Sequence, residues 1–283
     1  MSQSNVFELL NEGRSFLKRS NIDSYSIDAL VLLMNSSGMT KTEIYVNKDK
    51  TLNKEQEQCY KKALIKRAKN EPVQYIIGKA EFMGLTFMLN SATLIPRPDT
   101  ETLVEICIDK IKKNKYKFVL DLACGSGAIG ISIAKYCKDV FVACSDIDKD
   151  AVSMSIKNAK LNGVYENMNF YISNLFEKLE MEKYDIIVSN PPYIPTEDIS
   201  FLMPEVRDFE PVKALDGGIN GLDFYKIITK ESIKHLNKNG MLFYEIGSYQ
   251  KKAVLDIMAE YGFKSICSLK DLAGLDRVVY ANI

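Results

Sequence analysis

From residue 117 onward, short apolar segments of strand length alternate with segments of amphipathic helical pattern. Strands that are apolar along their whole length are buried on both faces, and intervening helices supply the crossovers of a parallel sheet. The pattern therefore predicts an α/β fold with a mostly parallel sheet. Only a short segment separates the last two strands, which predicts one antiparallel edge. The predicted strands are 117–121, 139–145, 168–172, 184–189, 240–246, 263–268 and 276–282, and the predicted helices are 127–136, 149–161, 221–237 and 248–261.

Residues 1–72 carry a helical pattern instead. Two apolar runs with helical spacing lie within residues 6–34, and a third helix is predicted to begin at Asn53. Gln56 stands three residues after Asn53, as in a capping box, and Pro72 ends the helix. The chain is thus expected to begin with a small helical domain.

Residues 73–92 change to a period of two, which predicts two short strands joined near Gly84. We interpret this segment as a β-hairpin linker. Residues 93–283 then open with an extended stretch held by Pro96 and Pro98, and a helix follows before the alternating strands. The sequence therefore predicts a helical domain, a hairpin linker and an α/β domain.

The chain of 283 residues has 37 basic and 37 acidic side chains, so no net charge draws it toward nucleic acid or anionic lipid. It has a single histidine, His235, and six cysteines without a Cys-x-x-Cys pair. A metal site and a histidine-dependent triad are therefore not expected. Free cysteines, together with the lack of a signal peptide or a long apolar window, predict a cytoplasmic protein.

Residues 41–70 hold nine basic and four acidic residues. A solvated helix face explains such an excess and is the favoured interpretation. A binding patch is the alternative.

A glycine-rich turn lies within VLDLACGSGAIGISIA, residues 119–134, between a predicted strand and a predicted helix. Gly125 and Gly127 would let the backbone approach a ligand closely, and the helix N-terminus offers amide donors. The pattern is weak alone, since a turn that binds nothing is an alternative.

An acidic residue, Asp146, ends the next predicted strand about 20 residues after the glycine turn. A carboxylate there can accept hydrogen bonds from both hydroxyl groups of a ribose. The alternative is that Asp146 caps the following helix, although Asp148 competes for that role.

The stretch YDIIVSNPPYIP, residues 184–195, is the most specific pattern. An apolar strand delivers Asn190, Pro191, Pro192 and Tyr193 to the carboxyl edge of the sheet, where ligands bind. The prolines fix φ and donate no N–H, so the stretch is rigid and its carbonyls lie outside the sheet ladder. Together with the Asn190 side-chain oxygen, they form acceptors that can hold a planar NH2 group beside an aromatic ring.

These three motifs resemble class I S-adenosylmethionine (AdoMet) methyltransferases with a Rossmann-like sheet that act on amide or exocyclic amino nitrogen. Further segments resemble the release factor glutamine N5-methyltransferase family, also called HemK or PrmC. The resemblance spans residue 70 to the end, while the N-terminal helices match that family's helical domain in size more than in sequence. The segments are LIPRPDTETLVE (94–105), VRDFEPVKALDGGINGLDFY (206–225), FYEIG (243–247) and DLAGLDRVV (271–279).

The resemblance implies which residues hold AdoMet. Asp146 would bind the ribose hydroxyls, and the segment 173–176 would lie along the adenine. Ala123 replaces the first glycine of the family's loop and requires a φ that alanine tolerates, while Asn174 replaces an acidic residue. The implied AdoMet-binding residues are Asp121, Ala123, Cys124, Gly125, Ser126, Gly127, Asp146, Asn174, Leu175 and Asn190.

The resemblance also implies the substrate site and the partner. Asn190, Pro191 and Tyr193 would act on the glutamine of the Gly-Gly-Gln motif of class 1 peptide chain release factors, with Pro192 in contact. Asn190 would also lie near the methionine end of AdoMet. An amide is neutral at pH 7, so orienting it requires no general base, and S-adenosylhomocysteine is the product. The substrate entrance would be lined by Arg97, Glu101 and Glu245, and the alternative for Arg97 and Glu101 is a helix-start salt bridge.

Three other functions remain open. The first is a sister enzyme that methylates a glutamine of a ribosomal large-subunit protein. The second is an adenine-N6 DNA methyltransferase, which flips its base out and usually has a basic DNA face. The third is a non-catalytic nucleotide-binding scaffold. No direct binding of nucleic acid and no membrane association are expected.

Overall fold

A computed structural model describes residues 4–179 and 183–283. The chain forms two compact units. The first contains the N-terminal residues through Gly78 and a later segment, Met203–Phe209; the second contains Lys79–Leu202 and Glu210–Ile283. Within the described residues, no helix has both the length and the apolar character that crossing a bilayer requires.

The first unit is helical, as its sequence pattern predicts. Capping boxes begin three of its helices, including the predicted pair of Asn53 and Gln56. Tyr60 packs in its core among leucine side chains. The helices are α1 (Val6–Arg19), α2 (Tyr25–Ser37), α3 (Lys41–Val46), α4 (Lys54–Arg67) and α5 (Val73–Ile77), with a single turn at Pro204–Arg207.

One basic residue of the 41–70 stretch, Arg67, lies inside this unit and is only 6% exposed. Its Nε lies 2.6 Å from Oδ2 of Asp28, and its Nη2 lies 2.9 Å from Oε2 of Glu205. Two carboxylates therefore neutralise the buried guanidinium. Arg67 joins the later segment to the helical unit and does not belong to a surface patch.

The prediction of a strand at the beginning of 73–92 is wrong, because residues Val73–Ile77 form α5. Pro72 has a φ of −57°, which suits a helix start, and Gly78 ends the helix at a φ of +73°. Val73, Ile76 and Ile77 pack against the helical core. That packing outweighs the strand preference of branched side chains.

The hairpin itself consists of β1 (Lys79–Phe82) and β2 (Leu85–Met88), which pair antiparallel. It is not a free linker, since Phe82 and Phe87 are buried in the core of the second unit. Asn158 anchors it: Oδ1 accepts the Met88 N–H at 2.7 Å and Nδ2 donates to the Met88 carbonyl at 3.0 Å. The same Nδ2 donates to the Ser126 carbonyl, so one side chain connects the hairpin to the glycine-rich turn.

The second unit contains the predicted sheet of seven strands, with helices on both faces. The strand order is β5-β4-β3-β6-β7-β9-β8. β9 pairs antiparallel with both β7 and β8, so the predicted antiparallel edge is confirmed. The strands are β3 (Phe118–Leu122), β4 (Phe141–Asp146), β5 (Met168–Ile172), β6 (Tyr184–Ser189), β7 (Leu236–Glu245), β8 (Lys264–Lys270) and β9 (Asp276–Asn282). The helices are α6 (Glu101–Asn114), α7 (Ala128–Tyr136), α8 (Lys149–Leu161), α9 (Asp223–His235) and α10 (Lys251–Glu260).

The largest difference from the predicted bounds lies at the junction of α9 and β7. The helix ends at His235 rather than 237, and the strand begins at Leu236 rather than 240. Leu236 pairs with Tyr184 before a register shift in β6. The strand order reverses between β3 and β6, and a ligand site is expected at their carboxyl ends.

Candidate functional site

A cavity of about 260 Å³ lies at the carboxyl ends of β3, β4 and β6. It brings together residues from all three sequence motifs. The predicted residues that line it are Arg97, Ala123, Cys124, Gly125, Ser126, Asp146, Asn174, Leu175, Asn190 and Pro192. The predicted residues outside its lining are Asp121, Gly127, Pro191, Tyr193 and Glu245.

The glycine-rich turn forms one wall of the cavity. Ala123, Gly125 and Gly127 all have positive φ values, of 57°, 55° and 80°. The expectation that alanine tolerates its angle is therefore corrected: Ala123 is left-handed, at a cost of about 1 kcal/mol. Gly127 is required by contact, since a Cβ there would lie 2.2 Å from Oγ of Ser155.

Asp146 is not the cap of α8. Asp148 caps that helix by accepting the N–H groups of Asp150 and Ala151. The Asp146 carboxylate accepts the Gly125 N–H at 2.9 Å and faces the cavity. Burial raises its pKa, although the Gly125 hydrogen bond and the charge of Lys213 both lower it. Asp146 therefore holds the turn in place and presents a carboxylate to a ligand.

Asp121 lies fully buried behind the turn. Its Oδ2 accepts the Gly130 N–H at 2.8 Å, while Oδ1 has no hydrogen-bond partner among the described residues. Burial and, to a smaller extent, the charge of Asp146 raise the pKa of Asp121 to about 7, against the lowering effect of the Gly130 hydrogen bond. One carboxyl group therefore lines the cavity and a second lies buried behind its wall, and a positively charged ligand would stabilise the ionised form of both.

Asn174 lines the cavity and is oriented by a neighbour. Its Nδ2 donates to Oε1 of Glu177 at 2.8 Å, so its side-chain oxygen remains available as an acceptor. Leu175, which follows, has a φ of +49°, and its carbonyl accepts a hydrogen bond from Ser145 on β4.

The segment from Asn190 to Tyr193 leaves β6 and pairs with a later loop rather than with the sheet. Ile194 donates to the Leu215 carbonyl at 2.9 Å, and Gly217 donates to the Ile194 carbonyl at 2.8 Å. The Tyr193 carbonyl accepts from Nε2 of Gln250 at 2.9 Å.

The predicted entrance residues have different partners. Arg97 lines the cavity and forms an ion pair with the buried Glu210. The alternative pairing with Glu101 is wrong, because Oε1 of Glu101 accepts the Met83 N–H of the hairpin at 2.6 Å. Glu245 is 2% exposed and does not line the cavity.

His235 takes no part in the site. Its ring stacks on that of Phe176, with the centroids 4.6 Å apart. In the described ranges, no group of three or more His, Cys, Asp and Glu side chains is placed to hold a metal ion.

Several residues of this region had no role predicted from sequence. Thr100 and Lys213 line the cavity, Lys213 pairs with Asp148, and Gln250 supports Tyr193. Thr100, Lys213 and Glu210 belong to segments that resemble the family, but the resemblance did not predict what these side chains contact. Gln250 stands outside those segments.

We predict that Gly221→Ala destabilises the protein by about 3 kcal/mol, because the new Cβ would meet the Tyr193 carbonyl oxygen at 2.2 Å. Gly163→Ala is the matched control, since Gly163 has the same φ of +69° and nothing within 4 Å of its Cβ position. It should cost only about 1 kcal/mol. Urea unfolding measures both, and equal losses would contradict the role of this contact.

Comparison with known proteins agrees with both units. Residues 8–78 match the family described as PrmC N-terminal domain, and residues 99–203 match the family described as methyltransferase small domain. Two release factor glutamine methyltransferases are similar over nearly the whole chain. The one from Clostridium acetobutylicum is 43% identical, covering 98% of each chain, and the one from Clostridium botulinum is 41% identical, covering 97% of this chain and 98% of the other.

Among solved structures, the 16S rRNA N2 G1207 methyltransferase of T. thermophilus, in complex with AdoMet and guanosine, superposes with a TM-score of 0.51. It is 20% identical, and the match covers 72% of this chain and 49% of that one, so it supports the fold alone. The family is shown instead by the two relatives, which are 43% and 41% identical over nearly the whole chain. The chain belongs to the release factor glutamine methyltransferase family.

Proposed function

We propose that this protein transfers a methyl group from AdoMet to the side-chain amide nitrogen (N5) of the glutamine in the Gly-Gly-Gln motif of class 1 peptide chain release factors, in the cytoplasm. One observation carries the proposal: Asn190 and Pro192 line the same cavity as the glycine-rich turn and Asp146. An acceptor for an NH2 group, the Asn190 side-chain oxygen, thus adjoins an acceptor for a ribose, the Asp146 carboxylate. The names of the relatives support the substrate.

The carboxyl groups in and behind the cavity suit the positive charges of AdoMet. Asp121 and Asp146 carry raised pKa values, so a sulfonium and an ammonium group nearby would stabilise their ionised forms. Asp146 would hold the ribose hydroxyls, and the free oxygen of Asn174 would accept the adenine amino group. Bound AdoMet supplies an electrophilic methyl group whose bond to sulfur is exchanged for a bond to nitrogen, while the amide loses a proton to solvent.

The protein's part is to orient a poor nucleophile. An amide lone pair is delocalised into its carbonyl, and two acceptors that hold both N–H hydrogens direct that lone pair toward the methyl group. We assign those acceptors to Asn190 Oδ1 and the Pro191 carbonyl. Tyr193 would pack on the amide plane; burial raises the pKa of its phenol, so it stays neutral.

Truncation of Asn190 to alanine should lower kcat/KM for purified release factor by about 100-fold or more, because one oriented acceptor is lost. The dissociation constant of AdoMet should change far less. Labelled AdoMet incubated with release factor, the ribosomal protein and an adenine-containing duplex gives the readout. Label on the ribosomal protein alone or on DNA would overturn the substrate, and transfer by the Asn190→Ala variant equal to the parent's would overturn the site.

We further propose that exposed lysines of the helical domain bind a second face of the release factor. Lys61 and Lys66 are exposed and pair with Glu57 and Glu71. Such exposed pairs contribute little to stability, so these lysines are free to exchange partners at little cost.

The combined variant K61E, K62E and K66E should raise KM for intact release factor but leave KM for a short Gly-Gly-Gln peptide unchanged, since only the intact protein reaches the helical domain. The control is K117E, K234E and K252E, which places the same charge change on lysines of the second unit that also form exposed ion pairs. If the combined variant raised KM equally for intact release factor and for the peptide, these lysines would not bind the release factor. The same would follow if the control variant raised KM for intact release factor as much as the combined variant does.

A further inference from the structure

A segment of the second unit, residues 210–215, contributes to the lining of the cavity and is fixed at both of its ends. We call it the strap. At its start, the buried Glu210 forms an ion pair with Arg97. At its end, the Ile194 N–H donates to the carbonyl of the buried Leu215 at 2.9 Å. Buried residues therefore hold both ends of the strap.

The middle of the strap is more exposed. It forms a single helical turn, Val212–Ala214, whose backbone hydrogen bonds in the described part of the chain stay within residues 211–216. Lys213 and Ala214 line the cavity, and the Lys213 side chain is 54% exposed. The Lys213 ammonium group forms an ion pair with Asp148, which ties the middle of the strap to a distant segment of the chain.

Asp148 also lines the cavity, at the point where β4 ends and α8 begins. Its Oδ1 caps α8 by accepting the N–H groups of Asp150 and Ala151 at 2.7 and 3.3 Å, so its Oδ2 is left to pair with Lys213. Its own N–H donates to Oδ1 of Asp146 at 2.9 Å. The ion pair therefore bridges two segments that line the cavity, beside the carboxylate to which the ribose is assigned.

We propose that the Lys213–Asp148 ion pair holds the strap across the cavity and so controls how fast AdoMet enters and S-adenosylhomocysteine leaves. Lys213 is then a positioning residue, which acts on the cofactor by holding the strap rather than by touching the reacting atoms. This inference rests on the proposed function for the identity of the ligand as AdoMet. The ion pair itself does not depend on that identity.

The exposure of the ion pair suits this role. An ion pair whose lysine is half exposed contributes little to stability, since water and dissolved ions screen it. It can break without unfolding the segments that it joins, because Glu210, Leu215 and the cap of α8 remain in place. A contact of this strength changes a rate constant by about fivefold at most.

Two substitutions remove the ion pair but keep the packing and the helix cap. Lys213→Met keeps the apolar stem of the side chain, and Asp148→Asn keeps an oxygen that caps α8. Each should raise both the association and the dissociation rate constant of AdoMet by about threefold to fivefold, because the strap then opens more often. The double variant should add no further increase, since both substitutions break the same contact.

Surface plasmon resonance with the immobilised full-length protein gives both rate constants. A strap that controls passage slows entry and exit alike, so the dissociation constant of AdoMet should stay within about twofold of the parent's. Loss of a direct contact with AdoMet would instead raise the dissociation rate constant and the dissociation constant together.

Ionic strength and charge retention supply the controls. Added salt should speed AdoMet exchange in the parent, because screening weakens an exposed ion pair, and should have little effect in Lys213→Met. Lys213→Arg keeps the charge and should exchange AdoMet at the parent's rates. Lys252→Met breaks an exposed ion pair with Asp256 within α10 and should leave both rate constants unchanged.

Amide hydrogen exchange tests the strap without any ligand. The Ala214 and Leu215 N–H groups donate within the strap, at 2.8 and 2.9 Å. Their exchange should be faster in both variants that lack the ion pair than in the parent, and unchanged in Lys252→Met.

Unchanged rate constants in Lys213→Met overturn the proposal, and so does a dissociation constant that rises in proportion to the dissociation rate constant. Amide exchange in the strap that is no faster than the parent's overturns it as well. A parent that binds no AdoMet overturns both this inference and the proposed function. A parent that exchanges AdoMet as predicted but methylates no release factor refutes the proposed function alone.

Discussion

Two successive prolines at the end of β6 create the constraint on which the site depends. They donate no N–H, so the chain from Asn190 to Tyr193 cannot continue the sheet ladder. The loop around residues 215–221 and Gln250 hold it instead, through hydrogen bonds to Ile194 and Tyr193. Gly221 allows that loop to touch the Tyr193 carbonyl directly. The segment is thereby held in place at the carboxyl end of β6, with Asn190 and Pro192 lining the cavity.

Buried carboxyl groups surround this segment and set its electrostatics. Asp121 lies behind the glycine-rich turn, Asp146 faces the cavity, and Glu245 accepts a hydrogen bond from Thr100, which lines the cavity. Burial raises the pKa of each carboxyl group. A nearby positive charge or hydrogen-bond donor would lower that pKa again and favour the ionised form. The three carboxyls play different parts because each faces a different partner: the helix start after the turn, the cavity itself, or the Thr100 hydroxyl.

The sheet was predictable from sequence because its strands are continuously apolar and its glycine-rich turn is local. The helix at residues 73–77 was not predictable, because its branched side chains favour a strand, and only packing against the helical core reverses that preference. Contacts between distant segments were also out of reach: Glu101 with the hairpin, Arg97 with Glu210, and Glu245 with Thr100. Local patterns identify such residues but not their partners.

The family resemblance identified ten of the residues that line the cavity, yet it placed Glu245 at the entrance, whereas Glu245 is buried and does not line the cavity. A single glutamate in an apolar strand offers no local signal of what it touches. The assignment of Met203–Phe209 to the helical unit depends likewise on Arg67 and Glu205, which are far apart in sequence.

The central claim is that the glutamine of the Gly-Gly-Gln motif receives the methyl group. Mass spectrometry of tryptic release factor peptides, from cells with and without this protein, measures it directly. We predict that the Gly-Gly-Gln peptide carries the mass of one methyl substitution on its glutamine in cells that contain the protein and lacks it in cells that do not. An unmodified glutamine in both samples, or a modification that persists without the protein, would contradict the account.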